Sequence, residues 1–392
     1  MQASINKVKP LLKGTLSQQE AEELRCLIER KLSSFVQEMN QCYSQEASPL
    51  MIKLYATLVS VIRCDTTTDI PLVNCCLSLK DMCNKLALYD IDTAVLDSAN
   101  YELESIIKAI EKDDIKIKHS ELHLIRKETI LIPKDFTVTV FAQNDRSLVA
   151  SYIITHLIKN GINVNLLVTQ KRFSKSSMKQ EMQLGKYRTL KRRLGKLIEK
   201  IIRKVKPEKD YIEIRDVASK EGIDNDISKL CNENKIPLVY VEGFNSDECH
   251  AALSQSPSHF GLYLGKEIVR KKTIELFEIG IVHNHPGRIP LYRGMDCVEW
   301  ALIQKEDMNI GGSIQLLTPQ LDSGPVLHFE GLKLESKWST NVIRSRVLFQ
   351  GISNTISFFT NINKEVECSY YDPSYGRQYY VMHSKLKQLI KR

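Results

Sequence analysis

The stretch from Phe136 to Val168 constrains the fold more than any other part of the chain. Phe136-Thr-Val-Thr-Val-Phe-Ala142 is a bounded, β-branched run, and Asp145 caps a helical pattern from Arg146 to Lys159. Asn160-Gly161 then turns the chain into a second strand, Ile162-Asn-Val-Asn-Leu-Leu-Val168. Two strands linked through a helix of this length lie parallel, with a right-handed crossover. The turn after the first strand, Gln143-Asn144-Asp145-Arg146, contains no Gly-x-Gly-x-x-Gly, which argues against a dinucleotide and nicotinamide chemistry. Short apolar strands at Ile236–Val241, Phe260–Leu264 and Ile279–His283 continue the alternation with helices. Together they predict a three-layer α/β domain with a mostly parallel sheet over residues 131–335.

The flanking segments read differently. Of 392 residues, those from 1 to 130 show apolar positions spaced by three and four, with Ser17 as an N-cap, and predict an all-helical N-terminal domain. Leu96-Asp97-Ser98 faintly resembles an acyl-carrier site, but an Asp-Ser helix cap accounts for it better. Residues 336–392 read as a helix and a Tyr-rich extension. With 43% hydrophobic and 26% charged residues, no long apolar run and no signal-like start, the chain is expected to be cytoplasmic and to have no membrane partner. Ten cysteines without a Cys-x-x-Cys pair read as free thiols. The net charge of +8 is concentrated between Lys186 and Lys206, where ten Lys or Arg face one acid, Glu199. Leu190, Leu194, Leu197, Ile198, Ile201, Ile202 and Val205 make that segment an amphipathic helix. A solvated face, a contact for a phosphorylated substrate or RNA, and a membrane-surface helix remain open for it.

The densest chemistry lies in His283-Asn284-His285-Pro286-Gly287-Arg288-Ile289-Pro290-Leu291-Tyr292-Arg293-Gly294, where an apolar strand runs into a loop. Ligands of open α/β sheets sit at such carboxyl ends. A period of two aims His283 and His285 to one face and Asn284 to the other. A second element, Gln315 to Leu327, carries one acid, Asp322, closed by Ser323-Gly324-Pro325. Two imidazoles and a carboxylate could exchange protons near neutral pH.

At these residues the sequence resembles the folate-dependent formyltransferases, which include glycinamide ribonucleotide transformylase, methionyl-tRNA formyltransferase and the sugar N-formyltransferases. Their Asn-x-His-Pro-[Ser/Gly]-x-[Leu/Ile]-Pro-x-Tyr-Arg-Gly pattern is met by His285-Pro286-Gly287, Ile289-Pro290 and Tyr292-Arg293-Gly294, and their Leu-Asp-[Thr/Ser]-Gly-Pro by Leu321 to Pro325. The resemblance implies a Rossmann-like formyltransferase domain over 131–335 and transfer of a formyl group from 10-formyltetrahydrofolate to a primary amine through a tetrahedral oxyanion. It implies that His285 and Asp322 are catalytic, and that Gly265, Lys266, Glu267, Ile268, Thr318 and Leu321 line the folate pocket. Arg288, Tyr292 and Arg293 are then expected at the acceptor, and no residue is assigned to a metal.

The family's Asn position is held by His283. An oxyanion donor is worth about 3 kcal/mol of barrier, so His283 takes over that role, a register shift brings Asn284 in, or the site is repurposed. Two other readings stand beside this: a metal-dependent hydrolase using His283, His285 and Asp322, and a formyltransferase-fold binding module. The methionyl-tRNA enzymes carry a basic insertion at the place of the 186–206 segment. Residues after 335 are too few for their C-terminal β-barrel, so tRNA is disfavoured. A small amine, an amino sugar nucleotide or an amino-acid derivative, is favoured as acceptor. A homo-oligomer is possible.

Overall fold

The computed structural model describes residues 48–64, 67–86, 94–112, 116–117, 121–171 and 208–390. Ser17 and the basic segment 186–206 lie outside the described residues. The described chain separates into two compact units.

The smaller unit is built on three helices, α1 (Ser48–Cys64), α2 (Ile70–Leu86) and α3 (Ala94–Lys112), and includes Leu302–Lys305 and the chain from Tyr379 onward. Helix α3 buries Leu96, Ala99, Leu103, Ile107 and Ile110, spaced by three and four, and exposes Asp97, Ser98, Ser105 and Lys108 together with Val95 and Tyr101. Against it α1 sets Met51, Leu54, Tyr55, Leu58 and Val59, and the Tyr55 hydroxyl donates to Asn100 Oδ1 at 3.0 Å. Among its described residues the unit also has a two-residue parallel pairing of Thr67–Thr68 with Lys116–Ile117. Burial drives the Cys83 thiol up to about 12, so it stays protonated and apolar.

Glu104 of α3 accepts from Lys80 at 2.8 Å and from Lys385 at 2.5 Å. These bonds, that of Lys385 first, hold its carboxyl below the usual range. A carboxyl depressed in the folded state adds stability above its unfolded pKa and loses it as pH falls through the folded value. All three side chains are partly exposed, so solvent screening keeps the effect to about 0.5–1 kcal/mol. Glu104→Gln is expected to lower stability by that amount at pH 7, and the difference should shrink in urea melts as the pH falls below about 4.3, the value of an unfolded glutamate. An unchanged melt at pH 7 would show that the pair of lysines contributes nothing.

The larger unit holds a nine-stranded mixed sheet. Its strands are β1 (Leu124–Leu131), β2 (Thr137–Ala142), β3 (Asn163–Gln170), β4 (Leu238–Val241), β5 (Phe260–Leu264) and β6 (Gly280–Pro286), followed by β8 (Gly311–Leu316), β9 (Val326–Gly331) and β10 (Glu365–Tyr371). A short strand β7 (Tyr292–Gly294) stands apart from this sheet. The order is β1-β10-β9-β8-β6-β5-β2-β3-β4, in which β6, β5, β2, β3 and β4 run parallel. Taken from the β4 edge, the parallel strands follow chain order third, second, first, fourth, fifth, the Rossmann-like arrangement with its switch point between β2 and β5. The remaining four strands join antiparallel.

Burial on both faces explains the unbroken apolar runs of the parallel strands. Val138, Val140 and Ala142 of β2 face α4 (Leu148–Lys159) and α10 (Thr340–Asn361), packing on Ile153, Ile154, Leu157, Ile352 and Phe359. Phe141 faces the other way, onto Phe244 and the Cys249 and Leu253 side of α7 (Asp247–Gln255). Each such aliphatic or aromatic side chain contributes about 1.5–3 kcal/mol of burial. Two differences from the sequence reading concern boundaries. Ser147, not Asp145, caps α4, its Oγ accepting from the Ala150 N–H, because Asn144 Oδ1 already takes the Arg146 N–H in a tight turn. The position 335 falls between β9 and α10, and α10 and β10 both belong to the larger unit. No helix among the described residues is long and apolar enough to cross a membrane.

Candidate active site

Strand β6 persists through Pro286, so the two-residue alternation holds across His283, Asn284 and His285. Asn284 therefore leaves on the face opposite the two histidines. Its amide packs against Gly312 of β8 and Gly351 of α10, so closely that a β-carbon at Gly351 would stand 2.6 Å from Asn284 Oδ1. The register shift that would swing Asn284 beside His285 is absent. Antiparallel pairing with β8 sets Gln315 opposite His283 and Ser313 opposite His285.

His285 is buried, and its Nε2–H donates to the Tyr292 carbonyl at 2.7 Å. A carbonyl can only accept, so the proton of a neutral His285 sits on Nε2 and Nδ1 carries a lone pair. That Nδ1 faces Asp322 Oδ2 at 3.5 Å, beyond the roughly 2.7–2.9 Å of a charge-assisted hydrogen bond. Asp322 is buried as well, with Oδ2 accepting from the Gly294 N–H at 3.0 Å and Oδ1 from Gln315 Nε2 at 3.1 Å. Its backbone lies in the left-handed region, φ 46°, a conformation that functional loops hold at some cost. The Tyr-Arg-Gly segment thus works through its backbone: the Tyr292 carbonyl fixes the imidazole and the Gly294 amide fixes the carboxylate. Gln315 completes the clamp, since its Oε1 accepts from the Gly324 N–H at 3.3 Å while its amide holds Asp322.

His283 is half-buried. Its Nδ1–H donates to the Tyr263 carbonyl at 3.2 Å, which leaves Nε2 as the ring's lone pair. Burial is the main reason that its pKa falls below the ordinary histidine value, and the neighbouring His285 pushes the same way against Asp322. His283 is accordingly a neutral base at pH 7. Nitrogen or oxygen atoms of His283, His285 and Asp322 lie within 4.8 Å of one another.

The other residues named from the sequence are placed as follows. Tyr292 is wholly buried, and Arg293 reaches the Pro373 carbonyl at 3.4 Å. Arg288 lies over the Phe329 ring at 4.9 Å. None of these three side chains is part of the cluster. Thr318 bonds within its own turn, to the Gln320 carbonyl, and Leu321 is half-buried beside Asp322 in the chain. In the loop after β5, Lys266 and Ile268 are exposed, and Gly265 lies so close to Tyr263 that a β-carbon would stand 2.6 Å from the phenol oxygen. Glu267 is consumed internally by the Phe244 N–H at 2.9 Å, Asn245 Nδ2 at 2.8 Å and Gln170 Nε2 at 2.7 Å. Cys297, not singled out in the sequence, sets its sulfur 3.3 Å from His285 Nε2 and donates to the Tyr292 carbonyl. Burial keeps that thiol protonated.

No family model matches the chain. Curated relatives do. The methionyl-tRNA formyltransferase of Chloroflexus aurantiacus is 39% identical over 95 residues, 24% of this chain and 30% of that protein. The methionyl-tRNA formyltransferase of Borrelia duttonii is 23% identical over 112 residues, 29% of this chain and 36% of that protein. The chain resembles the formyltransferases. A third relative, the bifunctional polymyxin resistance protein ArnA of Wigglesworthia glossinidia brevipalpis, is 23% identical over 161 residues, 40% of this chain and 24% of that protein. The chain thus spans between about a quarter and a third or so of these relatives' lengths, from 24% to 36%. Among solved formyltransferases, a phosphoribosylglycinamide formyltransferase from Coxiella burnetii aligns at 13% identity and a TM-score of 0.38, over 63% of this chain and 100% of its own. A sugar N-formyltransferase from a Shewanella species aligns at 12% identity and a TM-score of 0.36, over 58% and 69%.

Proposed function

We propose that this protein transfers a formyl group from 10-formyltetrahydrofolate to a primary amine of a small acceptor, an amino sugar nucleotide or an amino-acid derivative. One observation carries the reading: the His285 imidazole and the Asp322 carboxylate, far apart in the chain, meet at 3.5 Å at the carboxyl end of the parallel sheet.

In a sheet of this order a reduced folate would lie at the switch point, outside the carboxyl ends of the strands. Gln143, just after β2, gives its amide N–H to Gln170 Oε1 at 2.7 Å, and Gln170 passes its own to Glu267. Gln143 Oε1 is left buried with no hydrogen-bond partner among the described residues. A buried acceptor without a donor costs about 1–3 kcal/mol, and the amino and ring N–H groups of a pterin are donors that relieve it. Gln143, Gly265, Thr318 and Leu321 would hold that group, with Glu267 bracing the loop from within. Bound there, 10-formyltetrahydrofolate supplies an electrophilic formyl carbon.

The chain's own groups then divide the proton work. In the neutral ring Nδ1–H is committed to the Tyr263 carbonyl, so His283 Nε2 carries the lone pair and accepts the proton that the attacking amine must lose. The imidazolium so formed stands within reach of the Asp322 carboxylate, which offsets its charge, and it can return the proton from Nε2 to the departing nitrogen. His285, anchored through Nε2, offers Nδ1 to the same space.

The test is direct. Purified full-length protein is incubated with 10-formyltetrahydrofolate and, in turn, a nucleotide-linked amino sugar, free amino acids and an aminoacylated tRNA, while tetrahydrofolate release is followed optically. The expected result is release stoichiometric with a formylated small amine. Release with none of the three acceptor classes would discard the proposal, and release with tRNA alone would overturn the acceptor class.

A further inference from the structure

The geometry points to a transition-metal site: His283 Nε2, His285 Nδ1 and one oxygen of Asp322 form a three-ligand cradle for a divalent ion of the Zn²⁺ class. An ion here would take up the same His283 and His285 lone pairs that proton transfer uses, so metal binding is an alternative use of this cluster, and it stands without the formyl-transfer reading.

Three features on the page converge. The first is separation. At 3.5 Å, His285 Nδ1 and Asp322 Oδ2 are too far apart for a strong hydrogen bond. Two nitrogen or oxygen ligands about 2.1 Å from one tetrahedral ion stand about 3.4 Å apart. The pair is therefore spaced as two ligands of one ion are spaced, and the third residue's ligand atom lies within 4.8 Å of both.

The second feature is the setting of the rings. A metal-binding histidine gives its other N–H to a carbonyl or carboxylate, which fixes the tautomer and aims the lone pair. Both histidines do this here, His283 through Nδ1 to the Tyr263 carbonyl and His285 through Nε2 to the Tyr292 carbonyl. Each is thereby left with one lone pair, and both belong to the same small cluster. The carboxylate is braced in the same manner by the Gly294 amide and Gln315. The third feature is ligand type. Two imidazoles and one carboxylate, with further positions open, suit zinc and its neighbours in the first transition row, and offer too few oxygens for calcium. The histidine at 283 is the decisive residue, because an amide in its place is a much poorer ligand for these ions.

The site is tested in the absence of folate and amine, so that its failure is separate from a failure of formyl transfer. Full-length protein stripped with a chelator and dialysed is titrated with Zn²⁺ in a calorimeter, and with Co²⁺ in a spectrophotometer. One saturable site is expected. The Co²⁺ form should show visible bands of a nitrogen and oxygen site, without the near-ultraviolet charge-transfer band of a thiolate. His283→Asn and Asp322→Asn each remove a direct ligand and should weaken Zn²⁺ binding by more than the roughly 10–100-fold lost with an outer-shell partner, with circular dichroism confirming that both remain folded. The absence of saturable binding, binding that persists in both variants, or a thiolate band would each overturn the proposal. The Co²⁺ spectrum of the unaltered protein decides the matter even where a variant does not fold.

Discussion

Asp322→Asn is expected to lower kcat for the proposed formyl transfer roughly a thousandfold while leaving KM within a few-fold, the range in which impaired general acid–base catalysis falls. The reason lies in the clamp. Both carboxylate oxygens accept hydrogen bonds, from the Gly294 N–H and from Gln315 Nε2, so whichever end receives the new amide nitrogen faces a donor. The negative charge that offsets an imidazolium is lost in the same change. His285→Ala should produce a similar fall, since it removes the ring that the Tyr292 carbonyl aims at Asp322. The two groups act as a unit, so the double variant should be little slower than either single one. Steady-state kinetics of the three variants, compared with circular dichroism to verify folding, provide the measurement. Either single variant retaining near-normal kcat would remove the pair from the mechanism, and strictly multiplicative losses would show that they act apart.

Much of this arrangement was legible in the sequence, and what was not has identifiable physical causes. The parallel core was readable because strands buried on both faces leave unbroken apolar runs, as in Thr137–Ala142 and Asn163–Gln170. The antiparallel edge was not. Strand β1 exposes nearly every side chain, and its Leu-Ile-Arg-Lys-Glu-Thr-Ile-Leu pattern carries no burial signal. It is held by backbone pairing to β10, by Lys127 on Glu367 at 2.8 Å and by Arg126 over the Tyr370 ring at 4.0 Å. These are cross-strand relations that one strand cannot reveal. For the same reason the Tyr-rich tail read as an appendix although part of it closes the sheet.

At the site, His285 and Asp322 stood out because Pro-Gly and Ser-Gly-Pro surround them. The groups that hold them did not, since the Tyr292 carbonyl and Gly294 amide are backbone atoms and any residue could supply them. Gln315 was within reach of sequence reasoning. An amide in the middle of Gly-Gly-Ser-Ile-Gln-Leu, in a strand where every residue is buried, needs a partner, and the nearest acid in the chain is Asp322. For His283 the sequence left three readings open: a replacement oxyanion donor, a register shift that brings in Asn284, or a repurposed site. The Nδ1–H of His283 is taken by the Tyr263 carbonyl, so in the neutral ring Nε2 accepts, a distinction set by the neighbouring strand β5 and invisible in the His-x-His spacing.

Gly324→Ala is expected to destabilise the larger unit by roughly 2–3 kcal/mol, the upper range for forcing extra atoms into packed structure. A β-carbon at this position would stand 1.7 Å from the Leu316 carbonyl oxygen, an overlap with main chain that no rotamer change can relieve. Leu316 cannot retreat easily, because its N–H is bonded to the Pro325 carbonyl at 3.1 Å and its strand is paired to β6 on one side and β9 on the other. The loop must move instead, and with it go the Gly324 N–H that holds Gln315 and the left-handed turn at Asp322. A unit of this size should then melt roughly 5–10 °C lower, and the proposed formyl transfer should fall by more than the loss of folded protein explains, because the carboxylate leaves His285. Ser323→Ala is the control: its hydroxyl bonds only within the turn, to the Gln320 carbonyl and near Thr318 Oγ1, and the melting point should hardly change. Equal melting points for the two variants would show that the close approach of Gly324 to β8 does not hold this loop in place.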